Sequence, residues 1–188
     1  MPKQALGSLS EDDLELRGSD LVLLLMAADT TIATAQDRIN GVTRLEKLLY
    51  LVEQETDVPD AVRIERLNFK PYNYGPFSRD VYQGVETLES ADLVIEERRP
   101  SGRSDDALEA LDMIEEGEDD EYVERCYVLT PKGKAIASFL AKQYPDVDAS
   151  LSSIKNKYAG LSLSALIRYV YRTYPESTVN SKIRHQYL

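Results

Sequence analysis

Apolar residues recur at helical spacing in several stretches of the chain, and this pattern predicts a mainly helical protein. The first stretch, Leu21 to about Ala28, is apolar nearly all round and is therefore expected in the core. A second helix follows Gly41, and a third covers Arg79 to about Ala91. The apolar stripes are Leu45, Leu48, Leu49 and Val52 in the second helix, and Val81, Tyr82, Val85 and Leu88 in the third.

Polar residues that cap helices mark where these helices begin. The expected caps are Ser19 or Asp20 for the first helix, Thr43 with Glu46 as a capping box for the second, Ser78 for the third, and Thr130 followed by Pro131 for a fourth. The fourth helix ends near Gln143, and a final helical region covers Leu151 to Tyr174 with a break near Gly160. The apolar stripe of this region is Leu163, Leu166, Ile167, Val170 and Tyr174.

Three stretches alternate between apolar and polar residues and predict strands: Val62 to Phe69, Leu93 to Glu97, and Tyr122 to Leu129. Pro71 and Gly75-Pro76 are expected to break regular structure after the first. The last two strands can pair as a hairpin, with Leu93 and Ile95 beside Tyr127 and Leu129 on a face that covers the helices. The loop between them, residues 99–121, contains ten acids and no base from Asp105 to Glu121.

The order of these elements is that of a winged helix. We predict a mainly α protein with a small antiparallel β wing (α+β), in which a winged helix-turn-helix core precedes a helical C-terminal extension. The predicted parts are a flexible N-terminal arm (1–18), a winged-helix-like domain (19–145) and an extension packed on that domain (146–188). The spacing of Tyr127, Leu129, Thr130 and Gly133 resembles the exit from the wing in many winged-helix regulators.

A narrower resemblance covers Leu21 to Leu93. The run Leu45-Glu46-Lys47-Leu48-Leu49-Tyr50, followed by Phe69, Tyr72, Tyr74-Gly75-Pro76 and Val81-Tyr82, resembles the Panacea (SocA-like antitoxin) domain and related uncharacterised archaeal and bacterial proteins. The resemblance implies a winged-helix-like scaffold of antitoxins and phage-associated proteins, which bind a protein partner and sometimes present it to a protease. The long acidic loop and the extension from Leu151 to Leu188 depart from the family pattern, and each could serve a different partner.

The chain carries 33 acidic and 22 basic residues, a net charge of -11. This balance fits either ordinary solubility or adaptation to a salt-rich environment, and it makes the average surface repel phosphate. The sequence shows no signal peptide and no apolar run of the roughly 18 residues that a membrane span needs. We therefore expect a cytoplasmic protein without a membrane partner.

The segment from Phe69 to Phe77 (FKPYNYGPF) combines four aromatic residues with two prolines, a glycine and a lysine. Tyrosine offers apolar area and a hydroxyl group, so such clusters are typical of interfaces. We predict a protein-binding site formed by Lys70, Tyr72, Tyr74 and Arg79. The alternative for Phe69 and Tyr74 is that they fill the gap between the third helix and the rest of the domain, while Tyr72 and Phe77 are left open.

The alternative function is that of a DNA-binding transcriptional regulator that uses the third helix and the wing. The outer face of this helix consists of Arg79, Asp80, Gln83, Gly84, Glu86, Thr87 and Glu89. One of these residues is basic and three are acidic. Phosphate contacts would therefore depend on a small set of side chains. The candidates for nucleic-acid binding are Arg79, Gln83, Arg98, Arg99 and Arg103.

The C-terminal part carries basic residues among tyrosines: Lys155, Lys157, Arg168, Arg172, Lys182 and Arg184. These residues could form a solvated helix face, a nucleic-acid patch or a surface for self-association. Because the acidic loop has the opposite charge, the two regions could meet across a homodimer, which we expect.

Catalytic groups are scarce in the sequence. His185 is the only histidine and lies near the end of the chain, while Cys126 is the only cysteine and lies in a predicted strand, where we expect a core or half-buried thiol. Neither a zinc ligand set, a phosphate-binding loop nor a nucleophile elbow occurs. We therefore predict a protein that is not an enzyme and that has no catalytic residue, metal or cofactor.

Overall fold

The computed structural model describes residues 16–58, 66–100 and 123–187. In chain order its helices are α1 (Gly18–Ala27), α2 (Val42–Glu55), α3 (Arg79–Ser90), α4 (Pro131–Gln143), α5 (Pro145–Tyr158), α6 (Leu163–Thr173) and α7 (Arg184–Tyr187). Its strands are β1 (Arg38–Asn40), β2 (Lys70–Tyr72), β3 (Gly75–Phe77), β4 (Val94–Pro100) and β5 (Val123–Leu129). Short 3₁₀ turns cover Ala33–Ala35 and Pro175–Thr178.

The core has the element order and strand pairing of a winged helix. β5 lies between β1 and β4 and pairs antiparallel with both, while α1, α2 and α3 precede the β4–β5 hairpin. The protein is mainly helical with a small antiparallel wing, as the sequence predicts. β1 is absent from the predicted strands because three residues, of which only Ile39 is buried, are too few to show an alternating pattern.

The register of the wing differs from the prediction by one residue. Val94 pairs with Leu129, and these two side chains are buried on the inner face of the sheet together with Tyr127. Ile95 is 48% exposed on the opposite face, so its predicted place beside Tyr127 and Leu129 is wrong. The strand begins one residue late because Asp92, with φ of 57°, makes a turn after α3.

Two of the predicted helix caps are confirmed. The Ser78 hydroxyl accepts a hydrogen bond from the Val81 backbone N–H at 3.3 Å, and the Thr130 hydroxyl accepts one from the Gly133 N–H at 2.9 Å. Pro131 follows Thr130 in the first turn of α4, where its missing N–H has no intrahelical acceptor to lose.

The other two caps are wrong. Residue 17 caps α1, and Asp20 lies in the first turn, where its carboxylate accepts from the Arg17 backbone N–H at 2.8 Å. α2 begins after Gly41, whose φ of 81° suits glycine, so Thr43 and Glu46 lie inside the helix and form no capping box.

The predicted strand from Val62 to Phe69 is wrong where it can be tested. Residues 66–69 form no strand, and residues 62–65 lie outside the described residues. Instead, β2 and β3 form a tight hairpin in which Pro71 lies opposite Pro76. With three residues a strand, this hairpin has few ladder hydrogen bonds to lose, so the prolines do not break it.

The helical extension shares one core with the winged helix. The predicted break near Gly160 is confirmed, and α5 begins at Pro145, six residues before the predicted Leu151. The extension buries Leu151, Ile154, Leu166, Ile167 and Val170 in the same cluster as the apolar residues of α1 and α2. Within the described ranges, none of the helices has the length and apolar content that a membrane span requires.

Candidate functional site

A buried polar cluster fastens the β2–β3 hairpin to α2. Glu46 and Lys47 are only 3% and 1% exposed. Lys47 Nζ donates a hydrogen bond to the carbonyl oxygen of Pro76 at 2.8 Å and lies 3.8 Å from Glu46 Oε2. Glu46 Oε1 accepts from the Ser78 backbone N–H at 2.9 Å, and the Ser78 hydroxyl donates to the carbonyl oxygen of Leu67. α2 therefore holds the β3 end of the hairpin, and Ser78 links this end to Leu67, which precedes β2.

This cluster brings together the two parts of the pattern that resembles the Panacea domain. Glu46 and Lys47 come from the run between Leu45 and Tyr50, while Pro76 belongs to the Tyr-Gly-Pro turn. A charged pair inside an apolar helix is stable only when its polar atoms are bonded. These contacts join the two motifs in the fold, and membership of the family stays a prediction.

The C-terminal part of the chain supports the other side of the hairpin. Gly75 has a φ of 92° and packs so closely on Tyr171 that a Cβ would lie 2.8 Å from its ring. The Tyr171 hydroxyl is 2.7 Å from Ser181 Oγ, which in turn donates to the Asn73 carbonyl oxygen at 3.1 Å. The Lys182 backbone N–H also donates to this carbonyl, at 2.9 Å. The hairpin is thus held between α2 and the extension.

The exposed residues of the hairpin include both predicted tyrosines. Tyr72 is 52% exposed and Tyr74 is 39% exposed, and Lys70 and Arg79 are exposed as well. We name these four residues the aromatic face. The structure places the first three on the hairpin and Arg79 at the start of α3.

The remaining aromatic residues of the segment lie deeper. Phe69 is half-buried with its ring centroid 5.3 Å from that of Tyr50, so it packs on α2 and the core. The interpretation as a gap filler is wrong for Tyr74, which is exposed. Phe77 is half-buried, and its ring lies 5.1 Å from Tyr72 and 5.4 Å from Tyr82. The exposed Tyr72 ring therefore contacts a row of mutually tilted aromatic rings.

The residues predicted for nucleic-acid binding are dispersed and partly neutralised. Arg79 and Gln83 are exposed on α3. On the wing, Arg98 Nε lies 2.7 Å from Glu96 Oε1, an ion pair that reduces the positive charge available to phosphate. Arg99 pairs through its backbone with Glu124, and Arg103 lies outside the described residues.

The predicted basic surface of the extension loses Lys155. This side chain is fully buried, and its Nζ donates to the carbonyl oxygens of Met26 at 2.6 Å and Ala28 at 3.0 Å, at the C-terminal end of α1. Burial lowers the pKa of Lys155 to about 8, although Asp37 and Asp29 oppose the shift. The ammonium group of Lys155 therefore binds the end of α1 and not solvent. The homodimer stays a prediction.

Sequence reasoning also missed a tyrosine cluster around Glu55, the last residue of α2. The hydroxyls of Tyr158 and Tyr169 donate to its carboxylate at 2.7 Å, that of Tyr174 does so at 3.3 Å, and Lys157 Nζ lies 2.9 Å away. Burial raises the pKa of Glu55, but the bonds from Tyr158, Lys157 and Tyr169 outweigh it and hold the pKa below the ordinary 4.5. The tyrosines of the extension thus bind the core. This contact is seen only in the fold, because Glu55 and these tyrosines lie far apart in the sequence.

Groups with catalytic or metal-binding chemistry are scattered in the described part of the chain. Cys126 is 2% exposed, as expected for a strand thiol, and its Sγ lies 3.1 Å from Asn40 Oδ1. His185 is exposed on α7. Across residues 16–58, 66–100 and 123–187, no group of three or more His, Cys, Asp or Glu side chains is arranged to hold a metal ion.

No protein-family model and no curated protein matches the chain. The function must therefore be argued from the geometry of its surfaces.

Proposed function

We propose that the chain is a non-catalytic protein-interaction module, antitoxin-like in its use of a winged-helix scaffold, that contacts its partner through the aromatic face. The observation that carries this proposal is the exposure of Tyr72 and Tyr74 on a hairpin that is fixed from both sides. Two exposed tyrosines on a rigid support lose little conformational entropy on binding, because their backbone is already ordered.

Charge favours a partner with an acidic surface. Lys70 belongs to the same hairpin as the tyrosines, Arg79 follows this hairpin by two residues, and both are exposed on a chain whose net charge is -11. A local basic edge on an acidic protein steers a complementary acidic patch towards this face and repels it elsewhere. The aromatic rings then supply the apolar contact at the centre of the interface.

The test compares what the immobilised wild type and two immobilised variants capture from an extract of the source cells. One variant carries Tyr72→Ala and Tyr74→Ala, and the control carries Phe139→Ala, which removes a 62% exposed aromatic residue from α4. We expect to capture a protein that binds wild type and the control. Its affinity for the tyrosine variant should be at least about tenfold lower, since aromatic anchors dominate interface energies. A protein captured in this way is purified and titrated against each variant. Equal capture by all three immobilised proteins would refute the proposal.

The second candidate is a DNA-binding regulator. It is favoured by the position of α3, which precedes the wing as a recognition helix does and exposes Arg79 and Gln83. A salt-dependent DNA mobility shift that is lost when Arg98 and Arg99 become alanine would favour this candidate over the first. Absence of a shift at low salt would eliminate it.

A further inference from the structure

A cavity of about 250 Å³ lies where β1 and the first turn of α2 meet the segment that joins α5 to α6. It is distinct from the aromatic face, with which it shares no residue. Its polar side chains are those of Thr34, Arg38, Asn40, Arg44 and Ser162. All five can donate hydrogen bonds, and two of them carry a positive charge.

Arg44 is held at the wall of this cavity. The side chain is only 8% exposed, and its Nη1 donates to the carbonyl oxygen of Leu161 at 2.5 Å. This bond joins α2 to the α5–α6 connection and orients the guanidinium before any ligand arrives. Preorganised donors bind an anion without a further loss of side-chain entropy.

Arg38 is the second charged group. It lies on β1, whose pairing with β5 places Arg38 opposite Val128 and so fixes the backbone that carries it. The side chain is half-buried, and its guanidinium makes no hydrogen bond or ion pair with the described residues. An arginine that lines a cavity without a carboxylate partner is available for an anionic ligand.

The charge of the cavity is opposite to that of the whole chain. None of the described residues that line it is Asp or Glu, although the net charge of the protein is -11. Two arginines at one small cavity repel each other, and an anion bound between them would relieve this repulsion. Planar guanidinium groups recognise phosphate oxygens through paired hydrogen bonds.

We propose that this cavity binds a phosphate group, either as inorganic phosphate or as the phosphomonoester of a small molecule. A volume of about 250 Å³ lies below the roughly 300 to 1,000 Å³ of sites for drug-sized ligands, which favours a compact ligand over a nucleotide. Arg38 supplies a ligand contact that the described residues leave open, and Arg44 shapes the wall beside it.

Isothermal titration of the full chain with inorganic phosphate and with glycerol 3-phosphate, at constant ionic strength, tests the site. The informative variant is Arg38→Gln, and the matched control is Arg172→Gln, which removes the same charge from an exposed position of α6. We expect wild type and the control to bind at least one of the two probes. Arg38→Gln should bind that probe at least about tenfold more weakly. Tighter binding of the ester identifies a phosphomonoester site, and equal or tighter binding of phosphate identifies a site for the free anion.

Two results would overturn the proposal. One is that neither probe binds to wild type at millimolar concentration. The other is that Arg38→Gln, with a thermal midpoint like that of Arg172→Gln in the absence of ligand, binds the probes as wild type does. That comparison separates a specific site from the general stabilisation that phosphate salts give to folded proteins.

Discussion

At the scale of single residues, close contacts between distant parts of the chain decide which side chains are tolerated. Gly133 lies in the first turn of α4 directly against the start of the wing. The Thr130 backbone N–H donates to the Leu93 carbonyl oxygen at 3.0 Å, and a Cβ on Gly133 would overlap this same oxygen. The spacing of Thr130 and Gly133 is therefore a packing requirement of this chain.

Gly133→Ala should destabilise the protein in spite of the better helix propensity of alanine. The gain in propensity is about 1 kcal/mol, whereas overpacking against a fixed backbone oxygen costs about 1 to 3 kcal/mol or more. We expect a net loss of stability in urea denaturation. Ser138→Ala on the exposed side of α4 is the control and should change stability by about 0.5 kcal/mol at most. A Gly133→Ala protein more stable than wild type would contradict this account of the contact.

Lys47 allows the polar cluster beneath the aromatic face to be tested. Lys47→Met removes the donor to Pro76 and leaves the nearby Glu46 carboxylate buried without this charge, which should cost about 3 kcal/mol. Adding Glu46→Gln to Lys47→Met should recover part of the loss, since glutamine still accepts from the Ser78 N–H without a charge. A double-mutant cycle by chemical denaturation measures the coupling, and purely additive losses would show that the two side chains act independently.

At the scale of elements, one carboxylate joins three helices. Glu55 ends α2, Tyr158 ends α5, and Tyr169 lies in α6, so the hydrogen bonds between them fasten the extension to the winged helix. Tyr158 has a raised pKa because burial and the bond to Glu55 both disfavour its ionised form. The cluster thus combines a charged acceptor with neutral donors.

Glu55→Gln should destabilise the protein by about 2 kcal/mol at neutral pH, because hydrogen bonds to a charged acceptor are stronger than those to an amide. The folded-state pKa of Glu55 lies below 4.5, so the unfolded chain binds the proton more readily and stability falls as the pH drops through the folded-state value. The difference between wild type and Glu55→Gln should therefore shrink below about pH 4.5. Urea denaturation at pH 7 and at several acidic values measures it, and a difference that is independent of pH would contradict this role.

The elements that could be predicted are those whose signal is local. The stripes of α2, α3 and α6 span several turns, and Ser78 and Thr130 cap their own helices, so the sequence carries these features within a short window. β1 and the β2–β3 hairpin have three residues a strand, too short for a period, and pairing with distant residues defines them. The same limit applies to Lys155, which binds α1 from far along the chain.

The residues of the candidate site could be predicted from the sequence, but which of their side chains are exposed could not. The sequence shows that aromatic residues cluster between Phe69 and Phe77, and it identifies Tyr72 and Tyr74. Which rings face solvent depends on α2 and on residues near Ser181, which lie far away in the chain. The arginine-lined cavity was missed for the same reason, since Arg38 and Leu161 become neighbours only in the fold.

At the scale of the whole molecule, the extension is part of the core and not an appendage. Leu24 on α1 and Leu166 on α6 are both fully buried in the same apolar cluster. The lysine from α5 that binds the end of α1 adds a polar link across the same boundary. Unfolding of the extension alone would therefore expose the centre of the winged helix.

We expect one cooperative unfolding transition for both parts. Leu24→Ala and Leu166→Ala should each lower the free energy of unfolding by about 2 to 5 kcal/mol, and each should shift the whole transition. Circular dichroism and tyrosine fluorescence report the transition by two signals, which should coincide for both variants. A two-step transition in Leu166→Ala, with the winged helix surviving the first step, would show that the extension folds separately.

The single cysteine of the chain can report how often the sheet of the wing opens. Cys126 is covered where β5 meets β1, with its sulfur beside Asn40. A disulfide reagent can reach it only when this three-residue pairing opens, so the labelling rate counts opening events of the sheet under native conditions. A labelling rate that is slow in wild type and faster in the Gly133→Ala protein would show that strain at one end of β5 reaches its middle, without an engineered reporter residue.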